Sequence, residues 1–339
     1  MITKALDALS SRHDLDSDQT AAVLAEIMAG NASEAEIAAV LIALRTKGET
    51  VDELVGLAAT MRRFAAPVET GRTDLIDTAG TGGGRQTFNV STTAALIAAG
   101  AGCAVAKHGN RSATGLSGSA DLLEALGVRI DLPPEAVAQC IEEAGFGFMF
   151  APAHHGATRH VVPVRRELAV RTIFNFLGPL TNPAGASRQV IGVSDPAFLE
   201  TIAGALARLG ARKALVVSSA DGLDEMSTAG TTTVVEVDGD AITSSEVAPE
   251  DVGLPRSPRD AVAGGTPQHN ADVTRRIFAG EVGPARDLAA LNAGAAIYVA
   301  GRVDTLEAGV RAAEQALDSG AATEALDTLV ALTQQLAPS

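Results

Sequence analysis

Between Ala106 and Leu122 the chain reads Ala106-Lys107-His108-Gly109-Asn110-Arg111-Ser112-Ala113-Thr114-Gly115-Leu116-Ser117-Gly118-Ser119-Ala120-Asp121-Leu122. The thirteen residues from Lys107 to Ser119 hold three cationic or potentially cationic side chains, four hydroxyls and three glycines. Backbone N–H groups, hydroxyls and positive charge ahead of a helix suit phosphate oxygens. A solvated glycine-serine turn is the plain alternative, although such a turn has no use for Lys, His and Arg so close together.

A second glycine run, Gly80-Thr81-Gly82-Gly83-Gly84, stands one strand-helix unit upstream. Its spacing fits neither the dinucleotide fingerprint nor the Walker loop, so it reads as a site of close backbone approach. Further on, Ala220-Asp221-Gly222-Leu223-Asp224-Glu225 places adjacent carboxylates at the tip of an apolar strand. Such neighbours repel, and a hard cation such as Mg²⁺ with an oxygen-rich ligand would reconcile them; an acidic turn is the alternative. Arg165, Arg166 and Arg171 offer a two-pronged grip on a carboxylate, or ordinary surface ion pairs. His154, His155 and His160 lack acidic or thiol partners at ligand spacing, which argues against zinc.

These residues need a scaffold. Residues 1 to about 65 read as three amphipathic helices, the first two capped within Asp16-Ser-Asp18 and Asn31-Ala-Ser33-Glu34 and the third following Glu49-Thr50. After a linker at 67–72, strands and helices alternate as in a mostly parallel sheet. Strands are expected at 74–77, 103–106, 146–152, 189–193 and 213–218, with a hairpin over 231–247. Residues 89–93 should cap a helix over 94–99, and 164–175 should form a basic helix ending at Gly178-Pro179. Helices then follow over 133–144, 196–209, 285–300, 305–317 and 321–336. Both glycine loops thus fall at the carboxyl ends of neighbouring strands, where open α/β sheets hold ligands.

The chain has 339 residues, 46% of them apolar, and a net charge of −15, enough for one large or two smaller cores. An acidic surface with one Tyr and no Trp argues against a nucleic-acid partner. No apolar run reaches the ~18 residues of a membrane span, and the first residues lack a signal-peptide layout, so the expected location is the cytoplasm. Cys103 and Cys140 read as small buried residues.

Several motifs in order resemble the anthranilate phosphoribosyltransferases: Asp77-Thr-Ala-Gly80-Thr-Gly-Gly83, Phe88-Asn89-Val-Ser91-Thr92, Lys107-His-Gly-Asn110-Arg111, Gly118-Ser119-Ala-Asp121, Arg171 through Pro183, Asp221-Gly-Leu-Asp224-Glu225 and Leu291 through Gly301. The resemblance covers nearly the whole chain. It implies an α/β enzyme of the nucleoside phosphorylase/phosphoribosyltransferase class III type. A small all-helical domain (1–66, completed by about 165–183) would pack on a large α/β domain (73–164 and 184–339) with a central mostly parallel sheet, as a homodimer.

The implied reaction, a step of tryptophan biosynthesis, joins anthranilate to C1 of phosphoribosyl pyrophosphate (PRPP) with Mg²⁺ and releases pyrophosphate. Carried over by position, Gly80, Gly83, Thr87, Asn89, Val90, Ser91, Thr92, Lys107, Gly109, Asn110, Arg111 and Ser119 would bind PRPP. Gly80, Asn110 and Arg165 would bind anthranilate, and Ser91, Asp224 and Glu225 the metal. No residue is nominated as a general base.

Two segments depart from the family pattern. Where the family reads Gly-Thr-Gly-Gly-Asp-Gly, Gly83 is followed here by Gly84-Arg85-Gln86-Thr87, one residue shorter and without the aspartate. The family's His-Pro-Ala-Met appears as His155-Gly156-Ala157-Thr158. A pyrimidine nucleoside phosphorylase would carry Ser in place of Gly109 and lack Asn110. A nucleic-acid-binding relative should be basic and lack the acidic pair, and a nucleotide-binding module would bind PRPP without consuming it.

Overall fold

A computed structural model describes residues 1–112 and 115–337; Ala113 and Thr114 of the Lys107–Ser119 loop lie outside the described residues. The three capping signals act as read. Asp16, Ser33 and Thr50 accept the amides of Gln19, Glu36 and Glu53, whose side chains return the bond. They start α2 (Ser17–Met28), α3 (Glu34–Lys47) and α4 (Val51–Phe64). A fourth helix, α1 (Ile2–Ser10), precedes them, which corrects the expected three; it is short and has no side-chain cap to announce it.

Strands and helices then alternate: β1 (Ile76–Gly80), α5 (Val90–Gly100), β2 (Val105–Gly109), α6 (Ser119–Leu126), α7 (Pro134–Ala144) and β3 (Phe146–Phe150). Next come α8 (Ala151–His154), α9 (Val162–Leu168), α10 (Phe174–Leu180), β4 (Arg188–Gly192), α11 (Leu199–Arg208) and β5 (Lys213–Ser219). The chain closes with β6 (Thr232–Asp238), β7 (Ala241–Val247), α12 (Pro267–Phe278), α13 (Pro284–Val299), α14 (Leu306–Asp318) and α15 (Ala321–Leu336). One seven-stranded sheet has the order β3-β2-β1-β4-β5-β6-β7, parallel up to β5 and antiparallel in the last hairpin.

Apolar period alone misplaces several boundaries. β1 and β2 run on to Gly80 and Gly109, past the apolar stretches expected to end them. They carry Asp77, Lys107 and His108, which are polar yet buried against one another and their neighbours. Helix α5 begins at Val90, four residues early, and the Asn89 side chain does not cap it. The expected basic helix is two: Ala169 adopts a left-handed conformation (φ 51°) between α9 and α10, and Pro179 lies inside α10.

Alternation along each strand feeds two faces. Val190 and Leu215 pack with Leu96 and Ile97 of α5, Leu291 of α13 and Leu329 of α15. Ile191 and Val216 join Ile202 of α11, Ile37, Leu54 and Leu57 of the N-terminal helices, and Ile173 and Leu177. That second face fastens the helical unit to the sheet.

Candidate active site

Strand order reverses at β1: β2 and β3 lie on one side, β4 and β5 on the other. Such a switch point opens a crevice beyond the carboxyl ends of the strands. Here it is a cleft of about 950 Å³ between the helical segments and the sheet.

The glycine loop leaves β1 as its first wall. Gly80, Gly83 and Thr87 line the cleft. Gly83 has φ 88°, and a Cβ there would sit 1.9 Å from Arg171 Nη1, so only glycine fits. Arg171, in the break between α9 and α10, donates to the carbonyls of Gly82 (2.7 Å) and Thr81 (3.3 Å). Its own carbonyl accepts from Arg45 of α3 at 2.6 Å. The Thr81 and Gly82 carbonyls are therefore held from the helical side, while the Thr81 and Arg85 amides donate to the Gly192 and Gly222 carbonyls.

The loop after β2 forms the opposite wall. Gly109, Asn110, Arg111 and Ser119 line it, Ser119 being the first residue of α6. Asp121 accepts the Gly118 and Ser112 amides at 2.8 and 3.2 Å and shapes the loop's end. Arg111 is half exposed and turned onto Asp121 and Glu124. Asn89 bridges the two walls: its Nδ2 donates to the Ser117 carbonyl, and its Oδ1 accepts from Ser117 Oγ and Asn270 Nδ2. Ser91 lines the cleft from the first turn of α5. Val90 and Thr92, its neighbours on the helix, do not; their side chains turn into the core, because successive helical residues face ~100° apart.

Charge is concentrated on the floor. Lys107 is 1% exposed, and its ammonium donates to the Thr78 carbonyl and to Thr78 Oγ1. Burial lowers its pKa to about 8, opposed by the negative fields of Asp77 and Glu225. Burial likewise raises Asp77 to about 6, although Lys107, Asn182 Nδ2 (2.7 Å) and the His108 amide (3.2 Å) support its carboxylate. Asp224 and Glu225, in the turn after β5, both line the cleft and both are pushed above the ordinary carboxyl range, by burial and, for Glu225, by Asp224 beside it.

Oxygen donors of that kind fit a hard cation. Among the described residues no group of three or more His, Cys, Asp and Glu converges. An ion held by Asp224, Glu225 and the Ser91 hydroxyl would complete its shell from ligand oxygens and water, which is the habit of Mg²⁺.

The helical side is less polar. Arg165 of α9 lines the cleft with its guanidinium 5.5 Å from the centre of the Phe174 ring, and the described ion pairs do not include it. Burial lowers its pKa. Facing the same space, His108 and His155 have ring centres 5.0 Å apart and buried, unpartnered Nε2 atoms. Burial drives them to about 3 and about 4, so both are neutral. His108 is therefore not one of the loop's cations, contrary to the expectation from composition. Sequence reasoning offered Arg171 only as a possible carboxylate fork and missed its hold on the glycine loop and the pairing of the two imidazoles; neither spacing nor composition signals a contact made across the fold.

A helical bundle beside an α/β domain, with this cleft between them, is the plan of a glycosyl transferase family. Its helical bundle domain matches residues 3–65 and its a/b domain residues 72–323. The chain is 50% identical to the anthranilate phosphoribosyltransferase of Moorella thermoacetica, over 99% of this chain and all of that one. The crystal structure of the Thermus thermophilus enzyme of that name is 47% identical and superposes with a TM-score of 0.93, covering 97% of this chain and 99% of that one. A structure of the Saccharomyces cerevisiae enzyme in complex with PRPP and Mg is 25% identical, with a TM-score of 0.90 over 99% and 98% of the chains. The chain belongs to the anthranilate phosphoribosyltransferases.

Proposed function

We propose that the cleft binds PRPP and anthranilate together and transfers the phosphoribosyl group to the aromatic amine, giving N-(5-phosphoribosyl)anthranilate and pyrophosphate for tryptophan biosynthesis. The observation that carries this reading is the convergence of Lys107, Ser119, the glycine loop and the Asp224–Glu225 pair on one cleft. Gly80, Gly83, Thr87, Ser91, Lys107, Gly109, Asn110, Arg111 and Ser119 are the proposed PRPP side, and Asn89 orders its two walls. Arg165, Asn110 and Gly80 are the proposed anthranilate side.

The amine lone pair forms the new bond to C1 while the C1–oxygen bond breaks and its electron pair leaves with pyrophosphate. The attacking nitrogen is neutral, and its proton is lost after the new bond forms, so no strong base is required. Positive charge grows on the ribose and negative charge on the leaving group. Loop amides, Lys107 and the start of α6 meet that negative charge with fixed dipoles and a fixed cation, which act best where water is excluded. Asp224, Glu225 and Ser91 would hold Mg²⁺, which supplies further charge to the pyrophosphate oxygens. Arg165 fits the substrate carboxylate as a guanidinium fork, and the neutral His108 and His155 rings add flat, uncharged walls suited to a benzene ring.

We further propose that residues 165–183 complete the helical domain, since Ile173, Phe176 and Leu177 are buried with its helices. Exposed Ile42 of α3 and Phe64 of α4 support a homodimer through that domain. A cytoplasmic location is proposed from the biosynthetic reaction; no helix among the described residues is long and apolar enough to cross a membrane. The phosphorylase alternative is disfavoured by Gly109 and Asn110, and the nucleic-acid alternative by the net charge of −15.

Pyrophosphate release measured with and without anthranilate tests the reaction. Release that requires the amine is expected; no pyrophosphate release, with phosphorolysis of a nucleoside to free base and ribose 1-phosphate in its place, would refute it.

A further inference from the structure

The glycine loop is short, lacks the family's aspartate and carries Arg85, and the structure shows what that arginine does. The Arg85 amide donates to the Gly222 carbonyl at 2.7 Å. Its Nη2 donates to Asp221 Oδ2 at 2.9 Å and its Nη1 to the Arg259 carbonyl at 2.7 Å. Arg259 Nη2 closes the ring on the Asp221 carbonyl at 2.6 Å. Asp221 also accepts from Ser219 Oγ and from Ser227 Oγ, the latter at 3.1 Å. The Arg85 and Asp221 side chains are 18% and 6% exposed, so this pair is largely withdrawn from water, unlike the surface pairs elsewhere.

Asp221 belongs to the turn that carries Asp224 and Glu225. Directly beside Arg85, a Cβ on Gly84 would lie 2.4 Å from Asp224 Oδ1 and 2.8 Å from its amide nitrogen. Loop and turn are therefore in contact at Gly84 and tied at Arg85, and a displacement of one moves the other.

We propose that Arg85 is a positioning residue that fastens the shortened glycine loop to the acidic turn, so that the loop amides and the Asp224–Glu225 pair address one pyrophosphate group. This rests on the cleft's being a PRPP site. Lysine cannot replace it: one ammonium does not reproduce the planar fork that reaches the Asp221 carboxylate and the Arg259 carbonyl on separate arms. Arg85 lines the cleft, but both arms of its guanidinium are already engaged. Its partners are the turn and the Arg259 backbone.

The test compares the parent with Arg85→Ala, Arg85→Lys, Asp221→Asn and the Arg85→Ala/Asp221→Asn double variant. PRPP binding in the presence of Mg²⁺ is read by titration calorimetry, and KM for both substrates by steady-state assay. Loss of a charged hydrogen-bonded tie should weaken PRPP binding about tenfold or more in Arg85→Ala. KM for anthranilate should stay within about twofold, a split that general loss of structure would not give. Arg85→Lys should recover little, and the double variant should be no worse than the poorer single one, because both remove the same tie. Should Arg85→Ala not fold, Arg85→Lys and Asp221→Asn carry the same comparison. PRPP binding within about twofold of the parent, full rescue by lysine, or additive losses in the double variant would overturn the assignment. A parent that bound no PRPP would instead overturn the reading of the cleft on which it rests.

Discussion

Lys107 shows how much one residue in this cleft depends on its neighbours. An ammonium buried to 1% exposure persists only because Thr78, Asp77 and Glu225 surround it. Arg165 differs in having no carboxylate among the described ion pairs, as expected of a group reserved for a ligand. Arg165→Ala should raise KM for anthranilate by about tenfold or more, the worth of a charge-assisted fork, with a smaller effect on PRPP; equal effects on both KM values would contradict the clamp. Replacing Asp224 and Glu225 by Ala should abolish the Mg²⁺ dependence of residual turnover, and activity that still tracked Mg²⁺ would make the pair structural. His108 and His155 set the acid limit. Their folded pKa values, about 3 and about 4, lie below the ordinary 6.5, so the unfolded chain binds more protons as pH falls through that window. Stability is complete above about pH 6.5 and should fall below it by up to about 1.4 kcal/mol per pH unit for each ring. Unfolding followed by circular dichroism from neutral pH downward checks this, and His155→Gln should make the slope shallower.

At the scale of elements, the best-supported helix start is that of α4. Glu53, 0% exposed, accepts from the Thr50 amide (2.9 Å) and the Leu15 amide (3.1 Å) and pairs with Lys47 at 3.1 Å. Glu53→Ala removes one partner of a buried pair and should cost about 3 kcal/mol in denaturant unfolding; a loss below about 0.5 kcal/mol would show the pair to be incidental. Capping chemistry of this kind is written in the chain, which is why the capping segments located three helices; the glycine and acidic loops placed the cleft beyond β1, β2 and β5 without fixing where those strands end. What was not legible has no local signal. The break at Ala169 carries neither Gly nor Pro, and α1 has no side-chain cap. Asp77 of β1 and Lys107 and His108 of β2 look polar in sequence, and the partners that bury them come from other strands and loops. Arg171 reaches the glycine loop only because that break turns it back toward β1. Arg171→Ala should therefore weaken PRPP binding several-fold, roughly the loss of two hydrogen bonds to a charged donor, while a variant with unchanged KM for PRPP would reduce the contact to packing.

For the whole molecule, an acidic chain of net charge −15 must gather anionic substrates. It does so by placing Lys107, Arg165, Arg171 and the loop amides around one crevice at the switch point of the sheet. Five parallel strands deliver their carboxyl ends to the same side, and the helical unit closes over them through a shared apolar face. Transfer chemistry in that crevice needs little beyond positioning and charge, which accords with a cleft in which no strong base is needed over the ribose. The most direct measurement is the decay of anthranilate fluorescence in the presence of the protein, PRPP and Mg²⁺. A steady decay that stops when PRPP or Mg²⁺ is omitted, with phosphoribosyl-anthranilate as product, is expected. Fluorescence that holds constant while PRPP is bound would contradict catalysis and leave a binding module in its place.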